Sequence, residues 1–178
     1  MIETLISSKT RIKLLLKFFL NSSTTAYLRS LESEFGESSN AIRLELNRLE
    51  DAGMLSSFSD GNKKMFQANT QHPLFKEVRT MLMKTIGLDQ IILNVIERLG
   101  DVEQVFLVGD FAKGIDSPII DLIIIGKIDK NYLITLVERA EELVKRKIRY
   151  LIYDSTEFQL HSDSGFANEA LLLWSKDE

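Results

Sequence analysis

Cysteine is absent from the 178 residues, so disulfides and thiolate sites for metals or arsenic are excluded on chemistry alone. Histidine is scarce: His72 and His161 stand far apart without nearby ligand partners, and both read as surface or capping residues. No apolar run approaches the roughly 20 residues that a membrane-spanning helix needs, and the N-terminal segment reads as a charged amphipathic helix rather than a signal peptide. No P-loop, hydrolase triad, internal repeat or low-complexity tract occurs. These absences lead to the expectation of a cytoplasmic protein without membrane association, bound metal or cofactor.

What is present suits two small domains. With 44% of its residues hydrophobic, the chain can bury a core in each half. The net charge of −4 conceals an asymmetry: residues 1–84 carry 12 Lys and Arg against 9 Asp and Glu, whereas residues 85–178 carry 10 against 17. A polyanion would therefore meet the first half. An excess this small implies modest non-specific affinity, so useful binding would depend on a dimer and on shape-matched contacts.

The most informative stretch is residues 37–69, ESSNAIRLELNRLEDAGMLSSFSDGNKKMFQAN. Ser38 or Ser39 can cap a helix by accepting from an otherwise unpaired amide. Ile42, Leu46 and Leu49 recur at helical spacing, which places Ser39, Asn40, Arg43 and Asn47 on the opposite side. Those side chains suit base edges and phosphates. Gly53 is expected to end the helix through the left-handed region. Two strand-like runs then flank Asp60-Gly61-Asn62, whose glycine and short polar side chains suit a hairpin turn, with Lys63 and Lys64 just beyond the tip. Upstream, residues 8–22 form an amphipathic helix with Ile12, Leu15, Leu16, Phe19 and Leu20 inward. Residues 24–36 form a second helix with Leu28, Leu31 and Phe35 on one face, ended at Gly36.

Three helices followed by a hairpin is the order of a winged helix-turn-helix. The stretch RLELNRLEDAGML resembles the recognition helix and exit of the arsenical-resistance-repressor (ArsR) type over roughly residues 8–70. The resemblance implies double-stranded DNA as partner, with Ser39, Asn40, Arg43 and Asn47 at the groove and Lys63 and Lys64 at the backbone; Ser38 and Asn62 are further candidate DNA-binding residues. The missing cysteines set this chain apart from the metal-sensing members.

Between the halves, His72-Pro73 opens a helical pattern with proline at the first position. Leu74, Phe75, Val78, Leu82 and Met83 supply its apolar side, and Gly87 interrupts it before LDQIILNVIERLG. One helix kinked near Gly87 and two shorter helices both fit. Such connecting helices often pair subunits, which leads to the expectation of a homodimer.

The second half reads as strand (VEQVFLVG), glycine-punctuated loop (GDFAKGIDSP), strand (IIDLIIIG), amphipathic helix (residues 131–147) and strand (IRYLIYD). Apolar residues on both faces of IIDLIIIG imply a covered sheet. Residues 87–158 resemble the core of the minimal nucleotidyltransferase fold shared with the DNA polymerase β superfamily. Gly109, Ala112, Lys113 and Gly114 match its turn, and Asp121 matches the end of its D-x-D strand. The chain departs from that pattern where the chemistry lies. Ile119 stands two before Asp121, Asp110 replaces the serine of the turn, and Arg149 falls where a third carboxylate is expected. One carboxylate cannot hold two Mg²⁺ ions, and Asp110 and Asp116 lie on a loop without the geometry of one strand face. A pseudoenzyme follows, with Gly109, Asp110, Lys113, Gly114, Asp121 and Arg149 as a candidate site for a nucleotide or sugar-nucleotide effector. A scaffold for dimerisation or protein contact is the other reading. In the C-terminal segment a final helix begins near Glu157-Phe158, and Phe166, Leu171, Leu172 and Trp174 are expected to pack on the sheet or a partner.

The expected architecture is a two-domain α+β or α/β protein. Residues 1–72 form a winged helix-turn-helix that binds DNA, residues 73–100 are connecting helices that dimerise, and residues 101–178 form a nucleotidyltransferase-like mixed sheet with helices. The expected function is transcription regulation without catalysis. Two alternatives stand beside it: an active nucleotidyltransferase with an altered carboxylate set, and a protein-interaction module that uses the winged helix.

Overall fold

The computed structural model describes residues 2–162 and 170–176. The expectations for the His161 side chain and for Phe166 lie outside the described residues. The chain divides into two compact units, residues 1–85 and 86–178, each with its own mixed α and β structure. Among the described residues no helix is long and apolar enough to cross a membrane.

In the first unit, α1 (Ile2–Leu5) is followed by α2 (Lys9–Leu15), which widens into a π-helical stretch over Leu16–Leu20. Ser8 starts α2 by accepting from the Arg11 amide at 3.2 Å. The amphipathic pattern expected here holds only in part. Leu14 through Leu20 are buried without interruption, so the helix is covered on every side over its π-helical stretch. The buried Lys17 ammonium is met by Glu34 at 2.9 Å, as a charge in that position requires.

The second expected helix begins later than its sequence pattern suggests. Ala26–Tyr27 form a two-residue strand, β1, and α3 spans Leu28–Phe35. Gly36 ends α3 at φ +63°, donating to the Glu32 carbonyl at 3.1 Å. Next comes α4 (Ser39–Asp51), capped by Ser38 Oγ on the Ala41 amide at 3.3 Å. Its exit uses Gly53 at φ +72°, with the Met54 amide reaching back to the Leu49 carbonyl at 2.9 Å. The hairpin of β2 (Leu55–Asp60) and β3 (Lys63–Ala68) turns through Gly61-Asn62. Only Gly61 takes positive φ there, at +59°, as a two-residue turn with glycine first demands. The strands order as β1-β3-β2, all antiparallel. His72 Nδ1 accepts from the Leu74 amide at 3.1 Å, and α5 (Phe75–Ile86) starts two residues after Pro73, with Phe75 stacked on Phe19 at 5.3 Å between centroids.

An ionic clamp holds α4 against α2. Glu45 is 4% exposed and takes Arg11 Nε at 2.7 Å and Arg48 NH1 at 3.0 Å. Burial opposes its charge, but the hydrogen bonds from Arg11 and Ser8 and the charges of Arg11 and Arg48 outweigh burial and hold its pKa below the ordinary value.

In the second unit, Gly87 at φ +91° separates α5 from α6 (Leu88–Ile91). Of the two arrangements open from sequence, the structure adopts two helices. A π-helical stretch over Ile92–Ile96 and the short α7 (Glu97–Leu99) follow. Then come β4 (Val102–Val108), α8 (Gly109–Ala112), β5 (Ile119–Gly126), α9 (Lys130–Val144), β6 (Lys147–Tyr153), α10 (Ser155–Ser162) and β7 (Leu171–Ser175). The sheet order is β6-β5-β4-β7; β5 and β6 run parallel and the other pairs antiparallel. The expected buried strand is β5, with Ile120, Leu122, Ile123, Ile124 and Ile125 all buried, each such side chain worth roughly 1.5–3 kcal/mol. Leu171, Leu172 and Trp174 form a fourth strand on β4. A five-residue apolar run has no periodicity to distinguish strand from helix.

Two outcomes test this account. A Cβ at Gly87 would lie 2.5 Å from Val144 Cγ1, and positive φ adds strain, so Gly87→Ala should lower stability by about 1–3 kcal/mol, read as a lower urea midpoint. The Glu45 clamp is an acid-labile term: because its folded pKa is depressed, its contribution is present above the unfolded pKa of about 4.3 and disappears as pH falls through the folded value. Glu45→Gln should cost about 1–2 kcal/mol at pH 7, and the gap to wild type should narrow as pH drops below that range in paired denaturation curves.

Candidate functional site

The outward side of α4, the hairpin and the start of α3 enclose a concave surface of about 540 Å³. Of the residues singled out from sequence, Arg43, Asn47, Asn62, Lys63 and Lys64 line it. Ser38, Ser39 and Asn40 do not: Ser38 spends its oxygen as the α4 cap, Ser39 is half-buried, and Asn40 is exposed beyond the concavity. Two lining residues escape sequence reading. Tyr27 and Arg29 enter from β1 and the first turn of α3, and their signal was a lone aromatic–Leu–basic triplet where a strand meets a helix. With Arg29, four cations line the surface and, among the described residues, no carboxylate does.

Strand alternation separates the two lysines. Lys64 pairs across the ladder with Ser59, and Lys63 with Asp60, so the adjacent side chains leave opposite faces. Lys64 Nζ bonds Glu50 Oε2 at 2.6 Å and lies 4.9 Å from the centroid of the Phe66 ring. Glu50 also accepts from Ser57 Oγ at 2.5 Å. The hydrogen bonds from Lys64 and then Ser57 hold the Glu50 carboxyl below its ordinary pKa. Lys63 Nζ instead lies over Tyr27, 4.5 Å from the ring centroid. Sequence alone treats the lysines as equivalent; the structure commits one to an intramolecular carboxylate and the other to an aromatic ring.

The second cluster sits where β5 and β6 run side by side. Their register places Asp121 opposite Arg149, and the guanidinium grips the carboxylate at both oxygens, Nε to Oδ1 at 2.6 Å and NH2 to Oδ2 at 2.9 Å. Such a fork holds both carboxylate oxygens in one neutral unit. Gly109, at φ +67°, turns directly against this pair; a Cβ there would come within 2.6 Å of Asp121 Oδ2. Gly109, Asp121 and Arg149 line one shallow concavity with Val108 and Leu151, whereas Asp110, Lys113 and Gly114 are outside its lining. Asp116 is engaged by Arg146 at 3.0 Å, and Arg146 also donates to the Ser117 carbonyl and covers the Phe111 ring at 5.2 Å. Among the described residues no three His, Asp or Glu side chains gather to hold a metal ion.

No family model matches the chain, and no curated protein matches it significantly. Among solved structures, the AF1382 protein of Archaeoglobus fulgidus is 13% identical with a TM-score of 0.38, over 46% of this chain and 93% of that one. A protein of Sulfolobus solfataricus, provisionally described as a nucleotidyltransferase, is 17% identical with a TM-score of 0.36, over 57% of this chain and 88% of that one. Likenesses this low carry no argument about fold or activity, so the functional reading rests on the geometry of the two clusters.

Proposed function

We propose that the chain is a cytoplasmic DNA-binding transcriptional regulator. In this reading its first unit is a winged helix of ArsR-like type, and its second is a nucleotidyltransferase-like domain that has lost catalysis and serves ligand sensing or dimerisation. The observation that carries the proposal is the concave surface between α4 and the hairpin, where Arg29, Arg43 and Lys63 sit with the amides of Asn47 and Asn62 and no carboxylate lines the wall. Cations there neutralise phosphates, and Asn and Arg side chains read base edges. The order of α2, α3, α4 and the hairpin supports the winged-helix assignment. A groove between α1 and α5, beside a 74%-exposed Leu5, supports a homodimer.

Loss of catalysis is supported by the carboxylates. Asp121 is occupied by Arg149 and Asp116 by Arg146, which leaves no strand-borne pair for two Mg²⁺ ions. The exposed Arg149 and the Gly109 turn suit the phosphates of a nucleotide or sugar nucleotide.

Fluorescence anisotropy on a genome-selected duplex and on random duplex, across a salt series, tests the DNA reading. Arg43→Ala and Asn47→Ala should each cost about tenfold on the selected site and little on random duplex. Lys63→Ala should weaken both and lower the salt slope by about one, with Lys64→Ala weaker in effect because Glu50 already neutralises it. Equal losses on both duplexes for all variants would contradict the roles, and a wild-type protein that binds neither would favour a protein-interaction module. For the second unit, incubation with labelled nucleoside triphosphates and Mg²⁺ should transfer no label; transfer abolished by Asp121→Asn would restore the enzyme reading. A thermal-shift screen should show a rise in Tm with a nucleotide or sugar nucleotide, and no shift at millimolar ligand leaves dimerisation alone.

A further inference from the structure

We infer that Tyr27 is a positioning residue for Lys63, holding its ammonium at the edge of the concave surface before any polyanion arrives. The inference rests on the DNA reading of that surface and adds to it a residue that touches neither bases nor phosphates in its proposed role.

The backbone places the two side chains within reach of one another. Tyr27 pairs with Met65 in the β1–β3 ladder, and Lys63 lies two residues before Met65 on the same strand, hence on the same face as Tyr27 and diagonal to it. A diagonal neighbour is within reach of an aromatic ring and a long side chain, and Lys63 Nζ indeed lies 4.5 Å from the Tyr27 centroid. Tyr27 itself is anchored twice. It is paired in β1, and Ser30 Oγ accepts from its amide at 3.2 Å while donating to its carbonyl at 2.7 Å. The backbone that carries the ring is therefore fixed at the junction of strand and helix.

The chemistry suits a pre-set phosphate contact. A lysine stem has four rotatable carbons, and its entropy is the main cost of an exposed lysine–phosphate contact. The ring's negative face confines the ammonium without neutralising it, and an aromatic face satisfies only part of an ammonium's three donors. Lys64 has the opposite arrangement: the Glu50 carboxylate, 2.6 Å away, cancels its charge. The hairpin thus carries one cation that is confined yet still charged, and one that is confined and neutralised.

A double-mutant cycle tests the inference on the full chain, with random duplex and anisotropy across a salt series. The proteins are wild type, Tyr27→Leu, Tyr27→Phe, Lys63→Ala and the Tyr27→Leu/Lys63→Ala double variant. Tyr27→Leu should weaken binding about threefold with an unchanged salt slope, because the charge remains. Tyr27→Phe should bind as wild type. In the Lys63→Ala background Tyr27→Leu should have no further effect. In the free protein the Lys63 ε-methylene protons should show an upfield ring-current shift that persists in Tyr27→Phe and vanishes in Tyr27→Leu; this readout does not depend on DNA. The same threefold loss with or without Lys63, or tighter binding by Tyr27→Leu, overturns the positioning role while the DNA reading stands. Absence of salt-dependent binding by wild type overturns both.

Discussion

The pairing register of β3 governs what the first unit presents to a partner. Met65 lies opposite Tyr27 on one side and Phe58 on the other, and the period of two then assigns every neighbouring side chain to a face. Phe66 turns inward and is 4% exposed, Lys64 goes with it to Glu50, and Lys63 goes outward to Tyr27. A slip of one residue would bury Met65, expose Phe66 and exchange the faces of the two lysines. The hydrophobic demand of Phe66 and Leu55 for the core is thus the force that selects which lysine pairs with Glu50 and which with Tyr27. The Glu45 clamp adds a second restraint by holding α4 against Arg11, which sets the side of α4 from which Arg43 and Asn47 project.

A register also decides the chemistry of the second unit. Parallel pairing of β5 with β6 puts Asp121 and Arg149 on one face at adjacent positions. Two carboxylates there would repel one another and call for a cation between them. Arg149 supplies that positive charge covalently, through the bidentate bond at 2.6 and 2.9 Å. Gly109 permits the turn after β4 to approach that pair closely. The cluster is electrostatically self-sufficient.

Much of the fold was legible from residue pattern. The Ser38 cap, the Gly53 exit, the hairpin about Gly61 and the apolar β5 all declare themselves through local chemistry that needs few distant contacts. Less was legible where the decisive partner lies far along the chain. β1 is two residues long, too short for any periodicity, and exists because β3 offers it a free edge. β7 is an apolar run whose strand identity comes from pairing with β4 across more than 60 residues of intervening chain. The π-helical stretch after α2 buries residues on every side, which erases the amphipathic signal that a helix on a surface would carry.

The candidate sites divide along the same line. Sequence by itself determined that thiolate chemistry is unavailable, that α4 has one apolar and one polar side, and that lysines follow the hairpin tip; all of these are properties of residue identity and local spacing. Only the tertiary structure decided that Arg29 and Tyr27 join Arg43 and Asn47 around one concavity, that Lys64 is neutralised by Glu50 while Lys63 keeps its charge over a ring, and that Arg149 grips Asp121. Those outcomes depend on ångström-scale distances between residues far apart in the chain. Such distances are set by strand register and helix packing rather than by any property of the residues taken singly.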